Sequence, residues 1–218
     1  MQIYELNVTE NVLQELIHLS NNGIKSSMKD VSIIEEQDKI KQIISDLICT
    51  DGYHYGNLFN HSNPFTVHSD MSDIKKTVLL IPIKAHEKQK FIVFDQVLKN
   101  KKEMSWIYNI FDDKTDEELK EMYYHTASKL RPCESHQVHG CTHEPVSESL
   151  FKHLPYVREL YHGLTGFAWD YKPGKALLFP AERLHATGKM IEDKIGCTVQ
   201  LTTPIEHLEI RASIHNQL

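Results

Sequence analysis

The sequence has no long apolar run, few cysteines and no signal-peptide pattern. No stretch approaches the roughly 20 consecutive apolar residues that a transmembrane helix needs, and the first residues lack a basic segment followed by an apolar one. Four cysteines in 218 residues are too few for a disulfide scaffold. We therefore expect an intracellular, cytoplasmic protein with reduced thiols and no membrane partner.

The sequence also lacks an excess of positive charge. The chain has 24 Lys and Arg against 30 Asp and Glu, so its formal net charge is -6, which argues against a nucleic-acid partner. Phosphate-binding loops, dinucleotide fingerprints, H-E-x-x-H and serine-elbow motifs are all missing. What is abundant is histidine, with 14 residues, and this directs the search towards metal ligands.

Short β-branched runs predict strands in two blocks. The first block has TVLLIPI and KFIVF, joined by a connection of hairpin length at 85–89. The second block has predicted strands at 166–171, 176–180 and 195–205, and the turn KPGK at 172–175 joins the first two of them.

Helical periodicity precedes and separates these blocks. Helices are predicted after Thr9 as far as 21–23, and over about 32–48, 115–130 and 149–162. We expect one domain over 1–218, mainly β with flanking helices (α+β). Its N-terminal helices, within 1–50, pack on the core, and 97–165 is a largely helical insertion between the strand blocks.

Three side chains next to the predicted strands predict a metal site. His68 and Asp70 precede TVLLIPI, and residues i and i+2 of an extended segment point to the same face. His185 follows the strand PGKALLFP. Two histidines and a carboxylate with open positions are typical of non-haem Fe(II) oxygenases. An isolated H-x-D is common, however, and a solvated turn is the alternative for the pair.

With these features the sequence resembles the Fe(II)/2-oxoglutarate-dependent oxygenases, particularly small phage-type or phytanoyl-hydroxylase-like members, over roughly 53–205. The resemblance implies a double-stranded β-helix core (jelly-roll, cupin-like) and iron bound by His68, Asp70 and His185. It also implies a hydroxylase that consumes O2 and converts 2-oxoglutarate to succinate and CO2 while oxidising a substrate. The substrate, a small molecule or a side chain, and the oligomeric state stay open.

The family usually has an arginine on the strand after the distal histidine, often with a serine two residues later, and this arginine binds the far carboxylate of 2-oxoglutarate. The matching residues here are Lys194 and Gly196. Lys194 is the predicted counterpart, and a solvated hairpin lysine is the alternative. Other residues remain candidates for contacts with the co-substrate: the cations Lys84, Lys189 and Arg183, and the uncharged Tyr55, Asn57 and Thr77.

Two further interpretations compete with the oxygenase. A cupin-like metal enzyme would use the same ligands without 2-oxoglutarate, and a β-sandwich binding module would not be catalytic. A second cluster, Cys133–His143, has five possible ligands within CESHQVHGCTH, but its spacing fits no common zinc motif. We predict that this cluster is not a structural zinc site. Trp169 and Tyr171 share a face of a predicted strand and are interpreted as core residues.

Overall fold

Antiparallel strands are the main regular structure of the described chain. The computed structural model describes residues 2–22, 26–28, 31–33, 37–61, 69–70, 74–98, 130–131, 144–150 and 165–218. Its helices are α1 (Glu10–Asn22) and α2 (Gln37–Ile44). Its strands are β1 (Tyr4–Asn7), β2 (Ser26–Met28), β3 (Val31–Ile33), β4 (Tyr53–His61), β5 (Thr77–Lys84), β6 (Lys90–Leu98), β7 (Leu130–Arg131), β8 (Gly166–Asp170), β9 (Lys175–Pro180), β10 (Arg183–Thr187), β11 (Lys194–Leu201) and β12 (Ile214–Gln217).

The strands form two larger sheets and a small hairpin. The six-stranded sheet has the order β12-β1-β9-β5-β11-β4. The four-stranded sheet has the order β10-β6-β7, with β8 also paired to β6, and β2 pairs with β3 alone. All these pairings are antiparallel.

Several short connections cross from one sheet to the other. The connection at 85–89, predicted to be a hairpin, joins β5 of the six-stranded sheet to β6 of the four-stranded sheet. The hairpin prediction is wrong because β5 pairs with β9 and β11, whereas β6 pairs with β8 and β10. The turn at 172–175 also changes sheets, and Gly174 adopts φ +85° there, which glycine accommodates without strain.

The two sheets pack face to face, and alternation along each strand sorts its side chains. On β5, Val78 and Leu80 join an apolar cluster with Phe91 and Val93 of the opposite sheet. We call this side of each sheet its interior face. The alternate residues of β5, such as Leu79, pack on the other side of the six-stranded sheet with α1 and α2. We call that side its helix face.

The helices follow the apolar periodicity, with one correction. Helix α1 begins after Thr9, as predicted, and the backbone N–H of Leu13 donates to the Thr9 carbonyl. The second helix begins at Gln37 rather than near 32, because Val31–Ile33 forms strand β3. The alternation of Val31, Ser32 and Ile33 has the two-residue period of a strand.

Most of the predicted insertion at 97–165 lies outside the described residues, as does the helix predicted at 115–130 except for its last residue, Leu130, which begins strand β7. From the region predicted to be helical at 149–162, the structure describes only the end of a short 3-10 turn, Glu148–Leu150. No helix in the described ranges is both long and apolar enough to cross a membrane.

Candidate active site

His185 lies on the interior face of β10 and is fixed by its surroundings. Its side chain is 3 % exposed and packs with the rings of Phe91 and Phe179, at centroid distances of 5.5 and 5.2 Å. Nδ1 lies 3.0 Å from the Arg183 carbonyl oxygen. Because a carbonyl oxygen can only accept, Nδ1 carries the proton, which leaves the lone pair of Nε2 available for a metal.

Asp70 faces that nitrogen. The Ser69 hydroxyl donates to the Ala181 carbonyl at 2.8 Å and anchors the segment beside the end of β9. The Oδ2 atom of Asp70 then lies 3.6 Å from Nε2 of His185. This is too long for a hydrogen bond, but it suits two atoms that bind one ion with bonds of about 2.0–2.2 Å. The donor chemistry of the pair therefore fits a divalent iron.

The third predicted ligand, His68, lies outside the described residues. Within the described ranges there is no group of three or more His, Cys, Asp or Glu side chains that could hold a metal. The Cys133–His143 cluster also lies outside them. Cys197 is buried, and burial raises the pKa of its thiol to about 12, so it is a protonated core residue.

Lys194 is buried inside the same sandwich. It is the first residue of β11, only 2 % exposed, and its ammonium donates to the Thr187 hydroxyl at 2.8 Å. The ammonium also lies 4.7 Å from the ring centroid of Tyr171 and 5.7 Å from that of Phe59. Burial lowers the pKa of Lys194 to about 7. No carboxylate in the described part of the chain pairs with it, so the pocket favours an anion.

The rival cations are placed differently. Lys84 and Lys189 are exposed. Arg183 is buried, but Asp95 already compensates its charge, because Nη1 of Arg183 lies 3.5 Å from the Asp95 carboxylate and donates to the Asp95 carbonyl at 3.1 Å. Lys194 is thus the one of the four that is both buried and lacking a carboxylate partner among the described residues.

Beside Lys194, the Tyr171 hydroxyl fills the space that a side chain at position 196 would need. A Cβ atom at position 196 would overlap the Tyr171 hydroxyl and would lie 2.5 Å from the Phe59 ring. The Tyr171 side chain is fully buried, and burial raises its pKa well above 10, so its hydroxyl stays protonated. A serine could not stand at position 196 in this packing, and the Tyr171 hydroxyl, which donates to the Ile195 carbonyl at 3.4 Å, lies at the same place.

The structure does not bring Tyr55 and Thr77 to Lys194. Thr77 lies two residues before Leu79 on β5 and therefore points to the same side, the helix face. Its hydroxyl donates there to the Thr203 carbonyl at 2.8 Å. Tyr55 is on the interior face but pairs with Gln200, six residues from Lys194 along β11, which is about 20 Å along the strand.

Comparisons with known proteins find similarity only to solved structures. No protein-family model matches the chain, and no curated protein matches it significantly. A Pseudomonas putida prolyl-4-hydroxylase is 7 % identical, with a TM-score of 0.42 and 91 % of each chain covered. The α-ketoglutarate-dependent carbocyclase SnoK from nogalamycin biosynthesis is 9 % identical, with a TM-score of 0.43, covering 91 % of this chain and 78 % of SnoK. EctD from S. alaskensis is 9 % identical, with a TM-score of 0.40, covering 91 % and 72 %. Similarity at this level carries no weight in the assignments that follow.

Proposed function

We propose that the protein is an Fe(II)/2-oxoglutarate-dependent oxygenase, specifically a hydroxylase, formed as one domain by residues 1–218. The observation that carries this proposal is the buried Lys194, without a carboxylate partner among the described residues, in the sandwich that also holds the His185–Asp70 pair. Lys194 follows His185 by nine residues (194 − 185 = 9). The sheet order and the sheet-crossing connections support a double-stranded β-helix.

His185, Asp70 and His68 would hold the iron. Bound iron would supply the activation of O2 and the oxidative decarboxylation of 2-oxoglutarate to succinate and CO2, coupled to oxidation of the substrate. The Arg183 carbonyl holds the His185 tautomer that can bind metal. The Phe91 and Phe179 rings orient this imidazole and keep water away from its faces.

Lys194 and Tyr171 would hold the far carboxylate of 2-oxoglutarate. With its pKa near 7, Lys194 by itself is partly neutral at neutral pH, and a carboxylate bound beside it would restore its full charge. The Tyr171 hydroxyl, whose hydrogen bond to the Ile195 carbonyl is long at 3.4 Å, would turn to this carboxylate and donate a second, neutral hydrogen bond, as the family's serine would. The departure from the arginine–serine pattern is therefore a paired change, in which Gly196 makes room for Tyr171.

Stoichiometric conversion of 2-oxoglutarate tests this function. The anaerobically purified chain is supplied with Fe(II), ascorbate, 2-oxoglutarate and O2, and succinate is quantified. We expect slow succinate formation without substrate, lost in His185→Ala. A cupin-like enzyme would bind metal without forming succinate, and a binding module would do neither. Metal binding without any succinate formation would therefore reject the oxygenase.

A further inference from the structure

Two amide side chains with buried oxygen atoms, Asn57 and Gln200, stand at the other end of the sandwich interior. Gln200 is 7 % exposed, and its Oε1 atom has no hydrogen-bond partner among the described residues. Oδ1 of Asn57 is likewise buried without a partner in the described chain. Leaving a buried acceptor unpaired destabilises a fold, so two on one surface point to a ligand that would pair them.

These amides share one face and one neighbourhood. Asn57 pairs with Thr198 on β11, and Gln200 pairs with Tyr55 on β4. Val199 and Leu201 pack on the helix face, which places Gln200 on the interior face. Asn57 and Gln200 are therefore diagonal neighbours across two strands, with backbones about 7–8 Å apart, and both can contact one small chemical group.

The amide pair lies at the end of the sandwich that carries Asp70. The backbone N–H of Lys76 donates to the Leu201 carbonyl, and that of Ala181 donates to the Lys76 carbonyl. Ala181 in turn accepts from the Ser69 hydroxyl, next to Asp70. The end of β11 with Gln200 thus meets the metal-binding segment, whereas Lys194 stands at the opposite end of the strand. A molecule at the amides therefore approaches the His185–Asp70 pair from the side opposite Lys194.

We propose that Asn57 and Gln200 bind the substrate through an uncharged polar group that both donates and accepts hydrogen bonds, such as a carboxamide. Each amide offers an NH2 donor group and a carbonyl acceptor and carries no charge. Lys194, at the far end, is the only charged residue among the described interior-face side chains of β4 and β11. Burial raises the pKa of Tyr55, so its hydroxyl is neutral too. Calling this ligand the substrate rests on the proposed oxygenase function.

Small probes test the chemistry of this surface. The full-length protein, as purified and again with Zn(II) and 2-oxoglutarate added, is titrated with acetamide, sodium acetate and methylammonium chloride while side-chain NH2 signals are followed by NMR. We expect acetamide to shift the signals of Asn57 and Gln200 and the two ions to leave them in place. Asn57→Leu and Gln200→Leu should each weaken acetamide binding by about 2- to 10-fold. Stronger binding of either ion, no acetamide binding, or unchanged binding in both variants would overturn the proposal.

Gln89 provides a matched control. Its Oε1 is also buried without a partner in the described chain, but Gln89 precedes β6 and is not on the β4–β11 surface. Gln89→Leu and Gln200→Leu should both raise Tm by about 2–8 °C, since each removes an unpaired buried acceptor. Only Gln200→Leu should weaken acetamide binding. A lower Tm for Gln200→Leu would show that its amide has a structural partner and would reject the inference. The probe result does not depend on turnover: failure to form succinate would remove the oxygenase while leaving this binding surface, and the converse also holds.

Discussion

The two faces of strand β11 have opposite chemistry. Its helix face carries Cys197, Val199 and Leu201, which are fully buried against apolar neighbours. Its interior face carries Lys194, Gly196, Thr198 and Gln200, in a sandwich whose other described residues are mostly apolar and aromatic. Folding alone explains the first face. The second face buries a cation and an amide oxygen for which the described residues supply no partner, at a cost in stability. The proposed co-substrate and substrate would compensate for that cost.

Loss of His185, the proposed metal ligand, should have the largest effect. His185→Ala should reduce succinate formation to background, a loss of more than about 100-fold, because even groups outside the ligand shell of a metal can change activity by 10- to 100-fold. Circular dichroism should show a folded chain, since the substitution falls on the functional interior and not on the helix face. Retained turnover in a folded His185→Ala protein would contradict the iron assignment.

The pH dependence of the free energy of unfolding should show the next largest effect, and it should differ between the two faces of the six-stranded sheet. The folded-state pKa of Lys194, about 7, is below its ordinary value of 10.5, so the unfolded chain binds more protons between these values and the free energy of unfolding rises with pH there. Below pH 7 the full penalty remains. Lys194→Met should therefore be more stable than the parent at pH 6, by up to about 5 kcal/mol, and the gap should close towards pH 10.5.

Denaturant unfolding across this pH range measures the effect, and Lys84→Met on the exposed end of β5 is the control that should not alter the slope. Among the described side chains, Tyr171 is a titratable group that lies against Lys194, and its raised pKa keeps its hydroxyl protonated over this pH range. By contrast, Leu79→Ala on the helix face should destabilise by about 2–5 kcal/mol at every pH. Equal signs for Lys194→Met and Leu79→Ala at pH 6 would remove the distinction between the faces.

Co-substrate affinity should respond to Lys194 by a smaller amount. A charge-assisted hydrogen bond is worth about 1.5–3 kcal/mol, so Lys194→Ala should weaken 2-oxoglutarate binding by roughly 10- to 150-fold while metal affinity is nearly unchanged. Calorimetric titration of the Zn(II)-loaded protein measures both quantities. Lys189→Ala, close in sequence but exposed, should bind normally. If Lys84, Lys189 or Arg183 carries the effect instead, the co-substrate assignment is wrong and the iron site can still stand.

The Tyr171 hydroxyl should contribute least. Tyr171→Phe removes one neutral hydrogen bond and keeps the ring beside Lys194, so 2-oxoglutarate should bind about 2- to 10-fold more weakly. Trp169→Phe, on the preceding strand, is the control for a change in the aromatic core. A Tyr171→Phe protein that binds 2-oxoglutarate as tightly as the parent would leave Lys194 as the sole partner of the far carboxylate.

The sequence predicts these faces unequally. Apolar runs such as TVLLIPI identify β5, because both of its faces are buried in apolar surroundings. Strand β4 (YHYGNLFNH) was not predicted, since its polar interior-face residues and Gly56 interrupt the apolar alternation. Strand β10 (RLHAT) was missed for the same reason. The polar residues that make these strands candidates for a site also interrupt the apolar alternation by which a strand is predicted.

Local sequence pattern does not predict which strands pair or which distant side chains pack together. The spacing at 85–89 suits a hairpin, and only the sheet topology shows that the chain changes sheets there. His185 and Asp70 could be singled out from their place beside the predicted strands, and Lys194 from the resemblance to the oxygenase family. Tyr171 could not, because its position beside Lys194 depends on an absent side chain at Gly196, which is 25 residues away (196 − 171 = 25). An unpaired amide such as Gln200 likewise becomes visible only after its neighbours are placed.

The position of β11 also constrains the order of assembly. This strand is inserted between β4 and β5, although it comes more than 100 residues later in the chain (194 − 84 = 110). During synthesis β4 emerges early. The edge of β4 that later pairs with β11 stays without a partner until residues near 201 leave the ribosome. Closing such distant pairings costs loop entropy before it yields contacts, so we expect slow refolding and a dependence on chaperones that protect the edges of β4 and β5.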